Sequence, residues 1–323
     1  MNKKNAVLIL IVNIIFLLVI TEFVCYITEI YGSFNSINKE EWKNSSIKEK
    51  TNIFLTKFKY FNLKHQSFDT TYDMIKKEKL KTPYGVRYST PPILIMGCSY
   101  AYGYGLPDKD TFSYKLSEIT KRPVYNRAFE WWWGPQTMLY QARNEDFYKE
   151  VPNPKYVIYI LMSDHYRRIC TSVIDSFFPY PHLRYVKRNG KLERENFSFL
   201  YNLYAFKKYT KYKSEKIIKE KSQDLLNEFF IETKNEFDKR WNNYKFIILV
   251  YDQGQEEKLF YQNSSLSKLK DYGFKIVYAS DFAKTELNKP QFMIDAFGHP
   301  SALAWDLITK NFAKEEIINT SEN

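Results

Sequence analysis

Short apolar runs alternate with amphipathic stretches along most of this chain. Four runs, Ile93–Met96, Tyr156–Met162, Phe246–Tyr251 and Lys275–Tyr278, are dominated by apolar side chains at consecutive positions. That is the pattern of strands buried on both faces. Val124–Asn126 is a weaker fifth. Between these runs, positions 110–121, 135–148, 212–240 and 256–271 have helix-like spacing. Strands alternating with helices predict an α/β domain whose parallel sheet is covered on both faces. A last helix is expected from Pro300-Ser301, because proline suits a first turn. Its apolar positions are Leu303, Leu307, Ile308 and Phe312. Residues 170–211, rich in Tyr, Phe and Arg, break the alternation and read as an insertion near the strand ends, a lid or a substrate wall.

The N-terminus has a different pattern. Lys3 and Lys4 precede an apolar run from Ala6 to Ile20, broken only by Asn13, which resumes after Thr21-Glu22 and continues to Ile27. Such a run suits a single transmembrane helix, which needs about 20 residues. The lysines favour a cytoplasmic N-terminus, which would leave the remaining chain outside the membrane. A cleaved signal peptide is the alternative, although no clean small-x-small site follows the run. The expected organisation is a membrane anchor over 1–27 and a polar, lysine-rich connector over 28–90 that packs on the core. One domain follows over 91–323, with the insertion at about 170–211.

Composition narrows the classes. The chain has 323 residues, 44% hydrophobic and 18% aromatic, enough for one large domain with a core and incompatible with a disordered chain. Net charge is +11, carried mostly by scattered lysines. No nucleic-acid module signature accompanies it, so an anionic polymer or membrane surface is the simpler partner for that charge, and no nucleic acid is expected. The cysteines are Cys25, Cys98 and Cys170. So few exclude a disulfide-built scaffold, and whether Cys98 and Cys170 pair stays open. No Cys-x-x-Cys or His/Cys metal spacing occurs, and no metal or cofactor is expected.

The chemistry concentrates at two places. The run Ile93-Leu-Ile-Met-Gly-Cys-Ser99-Tyr-Ala-Tyr-Gly-Tyr-Gly105 ends a buried strand on a tight turn and enters a helix-like segment. That puts Ser99 at the carboxyl edge of the sheet, where open α/β sheets hold their ligands. A serine hydroxyl there needs a base to become a nucleophile. Of the histidines His65, His165, His182 and His299, the last follows the final strand and opens a helix, which returns it to the same edge. Asp295 is the local carboxylate to orient it. Cys98 is an alternative nucleophile, and its bland reading is a small buried residue.

Gly97-Cys98-Ser99-Tyr100, Asn126 through Gln136, Ser163-Asp164-His165 and Asp295…His299-Pro300 occur in the order of the blocks of SGNH/GDSL-type hydrolases, and the chain resembles that family over about 93–316. The resemblance implies a flavodoxin-like three-layer α/β/α fold, with Ser99 as nucleophile, His299 as base and Asp295 as orienting acid. Several positions depart from the pattern. Cys98 replaces the usual first-block Asp, and three residues separate Asp295 from His299. Trp131-Trp132-Trp133-Gly134 stands where the second-block glycine is expected. Gly-x-Asn-Asp reads Leu161-Met162-Ser163-Asp164. The implied oxyanion donors are the backbone of Ser99, Gly134, and Ser163 in place of asparagine, unless His165 takes that role. Losing one such donor costs about a hundredfold or more in rate.

Trp131, Trp132 and Trp133 cannot share one face, so at least one should line the site or the surface. With Tyr100, and Tyr102 and Tyr104 beside it, they form an expected platform for sugar rings. His165, and Arg167 or Arg168, leave the third strand at the same edge and would hold a substrate carboxylate or phosphate. The expected activity is a serine esterase or O-acyltransferase on acyl esters, acetyl above all, of a cell-envelope polysaccharide or acylated sugar. Alternatives are a degenerate polysaccharide-binding or assembly module and a lipid-directed esterase. No protein partner is indicated.

Overall fold

The computed structural model describes residues 83–129, 134–170, 185–194, 223–295 and 298–319, with isolated positions between 13 and 24. The chain divides into two units. One comprises Met1–Asp73, Thr171–His182 and Glu195–Lys216, and nearly all of it lies outside the described residues. The other, Met74–Cys170, Leu183–Arg194 and Ile217–Asn323, holds the sheet and the candidate site. The expected membrane anchor, most of the connector and most of the insertion fall outside the described residues. Among those described, no helix is long and apolar enough to cross a membrane.

Five parallel strands form the sheet: β1 (Ile93–Met96), β2 (Val124–Asn126), β3 (Tyr156–Leu161), β6 (Lys245–Val250) and β7 (Phe274–Tyr278). Their order is β2-β1-β3-β6-β7. Counting the sheet strands alone, this is the flavodoxin-like order 2-1-3-4-5, with its switch point between the first and third strands. β1 leads to the turn that carries Ser99.

The central strands β1 and β3 are apolar throughout because successive side chains enter opposite layers. Ile93, Ile95, Ile158, Ile160, Ile247 and Leu249 pack with Leu116, Trp305, Ile308 and Phe312. Leu94, Met96, Val157, Tyr159, Ile248 and Val250 pack with Met138, Leu139, Phe229, Phe230 and Phe237. The helices of the first layer are Phe112–Thr120 and Ala302–Phe312; those of the second are Pro135–Ala142 and 223–238.

Some expected elements are subdivided. The stretch 135–148 is two helices, Pro135–Ala142 and Glu145–Glu150, because Asn144 caps a new start by accepting the Asp146 amide. The stretch 256–271 is the helix Gln255–Gln262 followed by a 3₁₀ segment, Ser265–Tyr272. Within the insertion, β4 (Tyr185–Arg188) and β5 (Lys191–Arg194) form an antiparallel hairpin. Asn189 and Gly190 both have positive φ at its tip, as a type I′ turn requires. In the last helix Ser301 is the N-cap and accepts the Ala304 amide. Leu303 is exposed, so Ala304 and Trp305 supply the apolar face there instead.

Gly97 closes β1 at φ +144°, and a Cβ at this position would sit 2.8 Å from Ala101 Cβ and 3.0 Å from the Ile160 carbonyl oxygen. Both the backbone angle and the space require glycine. Gly97→Ala is expected to destabilise the domain by about 2–3 kcal/mol, read as a lower urea midpoint at unchanged slope.

Candidate active site

Ser99 opens a four-residue helix, Ser99–Tyr102, directly after the Gly97 turn. Its far end is held from the neighbouring strand: Asn126 Nδ2 donates to the Ala101 carbonyl at 2.8 Å and to Ser113 Oγ at 2.7 Å, and Asn126 Oδ1 accepts the Ala128 amide. Asn126 is thus fully engaged in fixing the nucleophile turn, a role that its position at the end of a strand did not reveal.

Asp295 and His299 share a tight loop. The Ile294 amide donates to the His299 carbonyl, the Ser301 amide donates to the Phe292 carbonyl, and Met293 bridges Pro300 in antiparallel fashion. Gly298, at φ +77°, makes the reversal; a Cβ there would lie 2.5 Å from Gln253 Nε2. The extra residue between acid and base is absorbed in this reversal, and the pair still meets. His299 Nδ1 lies 2.6 Å from Asp295 Oδ2, and the His299 amide donates to Asp295 Oδ1 at 3.2 Å. On the other side of the ring, His299 Nε2 lies 2.9 Å from Ser99 Oγ. Ser99 is only 7% exposed, so this chain of contacts is partly shielded from water.

Two tyrosines pack on the imidazole. The Tyr104 ring centroid is 4.9 Å from that of His299 with a 40° tilt, and Tyr100 stands at 5.2 Å with a 45° tilt. Tyr100 is 4% exposed and meets Tyr251 edge-on, so it belongs to the support of the base and not to an open sugar platform. Burial, with smaller effects from Cys98, Glu257 and Asp295, holds its hydroxyl protonated well above the usual range. Tyr104 is half-exposed and reaches solvent beside the triad. Aromatic faces stabilise a cationic ring by about 0.5–1 kcal/mol where solvent reaches. Tyr104→Ala is therefore expected to lower kcat/KM about two- to fivefold, and Tyr104→Phe, which keeps the ring, to match the parent enzyme in steady-state kinetics.

His165 is buried and faces inward, not toward substrate. The helix Asp164–Cys170 turns it under the sheet, where Nδ1 lies 3.2 Å from the Tyr159 hydroxyl. Burial, then the Arg168 charge, push its pKa well below 6.5. The unfolded chain binds a proton that the folded chain refuses, so stability should fall as pH drops below about 6.5. The slope is at most about 1.4 kcal/mol per pH unit, and His165→Phe should flatten it in urea titrations.

Arg168 is also buried, with its Nε 2.7 Å from Asp164 Oδ2. It is not on an open charged loop. Ser163 is exposed at the end of β3, near the Tyr261 hydroxyl. Gly134 is buried as the N-cap residue of Pro135–Ala142. Trp131, Trp132 and Trp133 lie outside the described residues, as do His65 and His182. Cys98 is a buried free thiol whose Sγ touches Met162 Sδ at 3.5 Å, so it neither pairs with Cys170 nor faces the His299 ring as a nucleophile would. Asp252, also at the carboxyl edge, accepts from the Ser280 amide and hydroxyl. Among the described residues no cluster of His, Cys, Asp and Glu has the arrangement of a metal site.

No protein-family model matches the chain, and no curated protein matches it. Several solved structures are similar in part. An acetyl xylan esterase from the rumen bacterium Butyrivibrio proteoclasticus aligns with a TM-score of 0.42 at 11% identity, over 72% of this chain and 65% of that one. A member of the lipolytic protein G-D-S-L family from Veillonella parvula gives 0.42 at 9% identity, over 70% and 97%. A carbohydrate esterase family 2 enzyme with a carbohydrate binding domain, from Corynascus thermopiles, gives 0.40 at 11% identity, over 70% and 65%. This chain thus spans 65% of the length of each of the two esterases. These likenesses are weak, and the functional reading rests on the geometry of the site itself.

Proposed function

We propose that this chain is an SGNH-type serine esterase or O-acyltransferase. The observation that carries the reading is the continuous contact Asp295 Oδ2–His299 Nδ1, His299 Nε2–Ser99 Oγ, at 2.6 and 2.9 Å. Asp295 fixes the imidazole with Nε2 toward Ser99, ready to take its proton. Ser99 Oγ attacks the acyl carbon as His299 accepts the hydroxyl proton. The carbonyl becomes an oxyanion, which the backbone N–H of Ser99, and that of Gly134 as the family pattern implies, would stabilise. Collapse expels the alcohol, which takes the proton from His299, and leaves an acyl-Ser99 intermediate. Water or a sugar hydroxyl, deprotonated by His299, then takes the acyl group.

An acetyl ester of a cell-envelope carbohydrate is our preferred substrate, on the side of the membrane away from the cytoplasm, with the 6–27 segment as anchor. The aromatic content and the N-terminal pattern support this part of the reading. The test is covalent. A fluorophosphonate should add to the peptide bearing Ser99, seen by mass spectrometry, and acetate should be released from acetylated polysaccharide while no fatty acid is released from lysophospholipid. Absence of Ser99 labelling would sink the nucleophile assignment and favour a binding or assembly role.

A further inference from the structure

The oxyanion donor supplied by asparagine in the family pattern is absent at Ser163, whose short exposed side chain lies near Tyr261. A different side chain meets all three stretches that should border the oxyanion. Helical side chains lean toward the N-terminus of their helix. Arg168, in the second turn of Asp164–Cys170, accordingly reaches back over Asp164 toward the end of β3. Its Nη2 lies 3.9 Å from Met162 Sδ, the same sulfur that touches Cys98 Sγ at 3.5 Å, and Cys98 directly precedes Ser99. On its other flank, a Cβ on Gly134 would stand 3.5 Å from Arg168 Cβ, and the Arg168 carbonyl accepts from Gln136 Nε2. The first and third blocks therefore meet at the guanidinium, through Cys98 and Met162, while the second packs on the Cβ and main chain of the same residue.

We propose that Arg168 supplies fixed positive charge to the oxyanion site, in place of the neutral asparagine donor. The proposal rests on the esterase reading above. The side chain is 6% exposed, and its Nε donates to Asp164 Oδ2, which fixes the position of the guanidinium. Burial disfavours the cation, but Cys98 and Asp164 outweigh it, so the group stays charged. A charge in a partly dry site acts more strongly on a developing oxyanion than it would in water. It is present before the reaction starts, so it favours the tetrahedral anion over the neutral ester and should be felt in kcat more than in KM.

The test compares the full-length protein with Arg168→Met and Arg168→Lys. The readouts are kcat and KM on p-nitrophenyl acetate and the affinity of a small alkylboronic acid, which forms a tetrahedral anion on an active serine. Arg168→Met is expected to lose about a hundredfold in kcat and a similar factor in boronate affinity, with KM within about threefold. Arg168→Lys should recover part of both. A purely structural arginine would lower the melting temperature while leaving boronate affinity and kcat per folded molecule in place, and that result overturns the proposal. If Arg168→Met does not fold, Asp164→Asn takes its place. It keeps the charge but frees the side chain, and a joint fall of kcat and boronate affinity supports the proposal while unchanged values overturn it. Parent protein that neither labels at Ser99 nor hydrolyses the ester refutes the esterase reading itself, and the arginine's role with it.

Discussion

Ser99→Ala is expected to lower p-nitrophenyl acetate hydrolysis by about ten-thousandfold or more, and His299→Ala by a similar factor. The reason is the 2.9 Å contact between Ser99 Oγ and His299 Nε2. Without the hydroxyl nothing attacks; without the imidazole the hydroxyl keeps its proton. The two groups act as one unit, so the double variant should lose little more than either single variant. Steady-state kinetics on the three proteins checks this. Losses that multiplied would mean that the two side chains act independently, which the proposed mechanism forbids. Neither change should unfold the domain, because the strands and the turn at Gly97 are untouched.

The second large effect belongs to Asp295→Asn, for which a loss in kcat of about a thousand- to ten-thousandfold is expected. The amide fits the same space, but its NH₂ group cannot accept the His299 Nδ1 proton as a carboxylate does. The imidazole would then present the wrong tautomer to Ser99. KM should change little, because Asp295 acts through His299 and not on the substrate. A variant with normal kcat would show that another group orients the base. Asp252 is poorly placed for this, since Ser280 already occupies both of its oxygens.

That Ser99, Asp295 and His299 come together was legible in the sequence because each lies next to a strong local signal. Ser99 follows a buried run and a glycine, and His299 precedes a helix-starting proline and serine. The sheet was legible for the same reason: strands buried on both faces leave unbroken apolar runs. What hid was long-range. Whether Asp295 reaches His299 depends on the positive φ of Gly298 and on a bridge between Met293 and Pro300, neither of which a spacing rule contains. Tyr100 and His165 looked like site-facing polar residues, yet both are buried, Tyr100 against Tyr251 and the His299 ring and His165 against Tyr159. Arg168 was expected to hold a substrate carboxylate or phosphate; the short helix after β3 turns it inward instead. One signal was readable and went unread. Asn189-Gly190 is a strong hairpin dipeptide, and it stands between the two strands of the insertion.

Asp295 and His299 are carried by a single backbone reversal, tied by amide hydrogen bonds from 294 to 299 and from 301 to 292. The nucleophile rides on a separate turn, anchored by Asn126. Any relative displacement of these two pieces would leave the Asp295–His299 contact intact and stretch only the gap to Ser99. The fraction of molecules competent to react would thus follow one coordinate, the separation of hairpin from turn, and Tyr104 joins the two pieces, with its amide on the Ser99 carbonyl and its ring 4.9 Å from the imidazole.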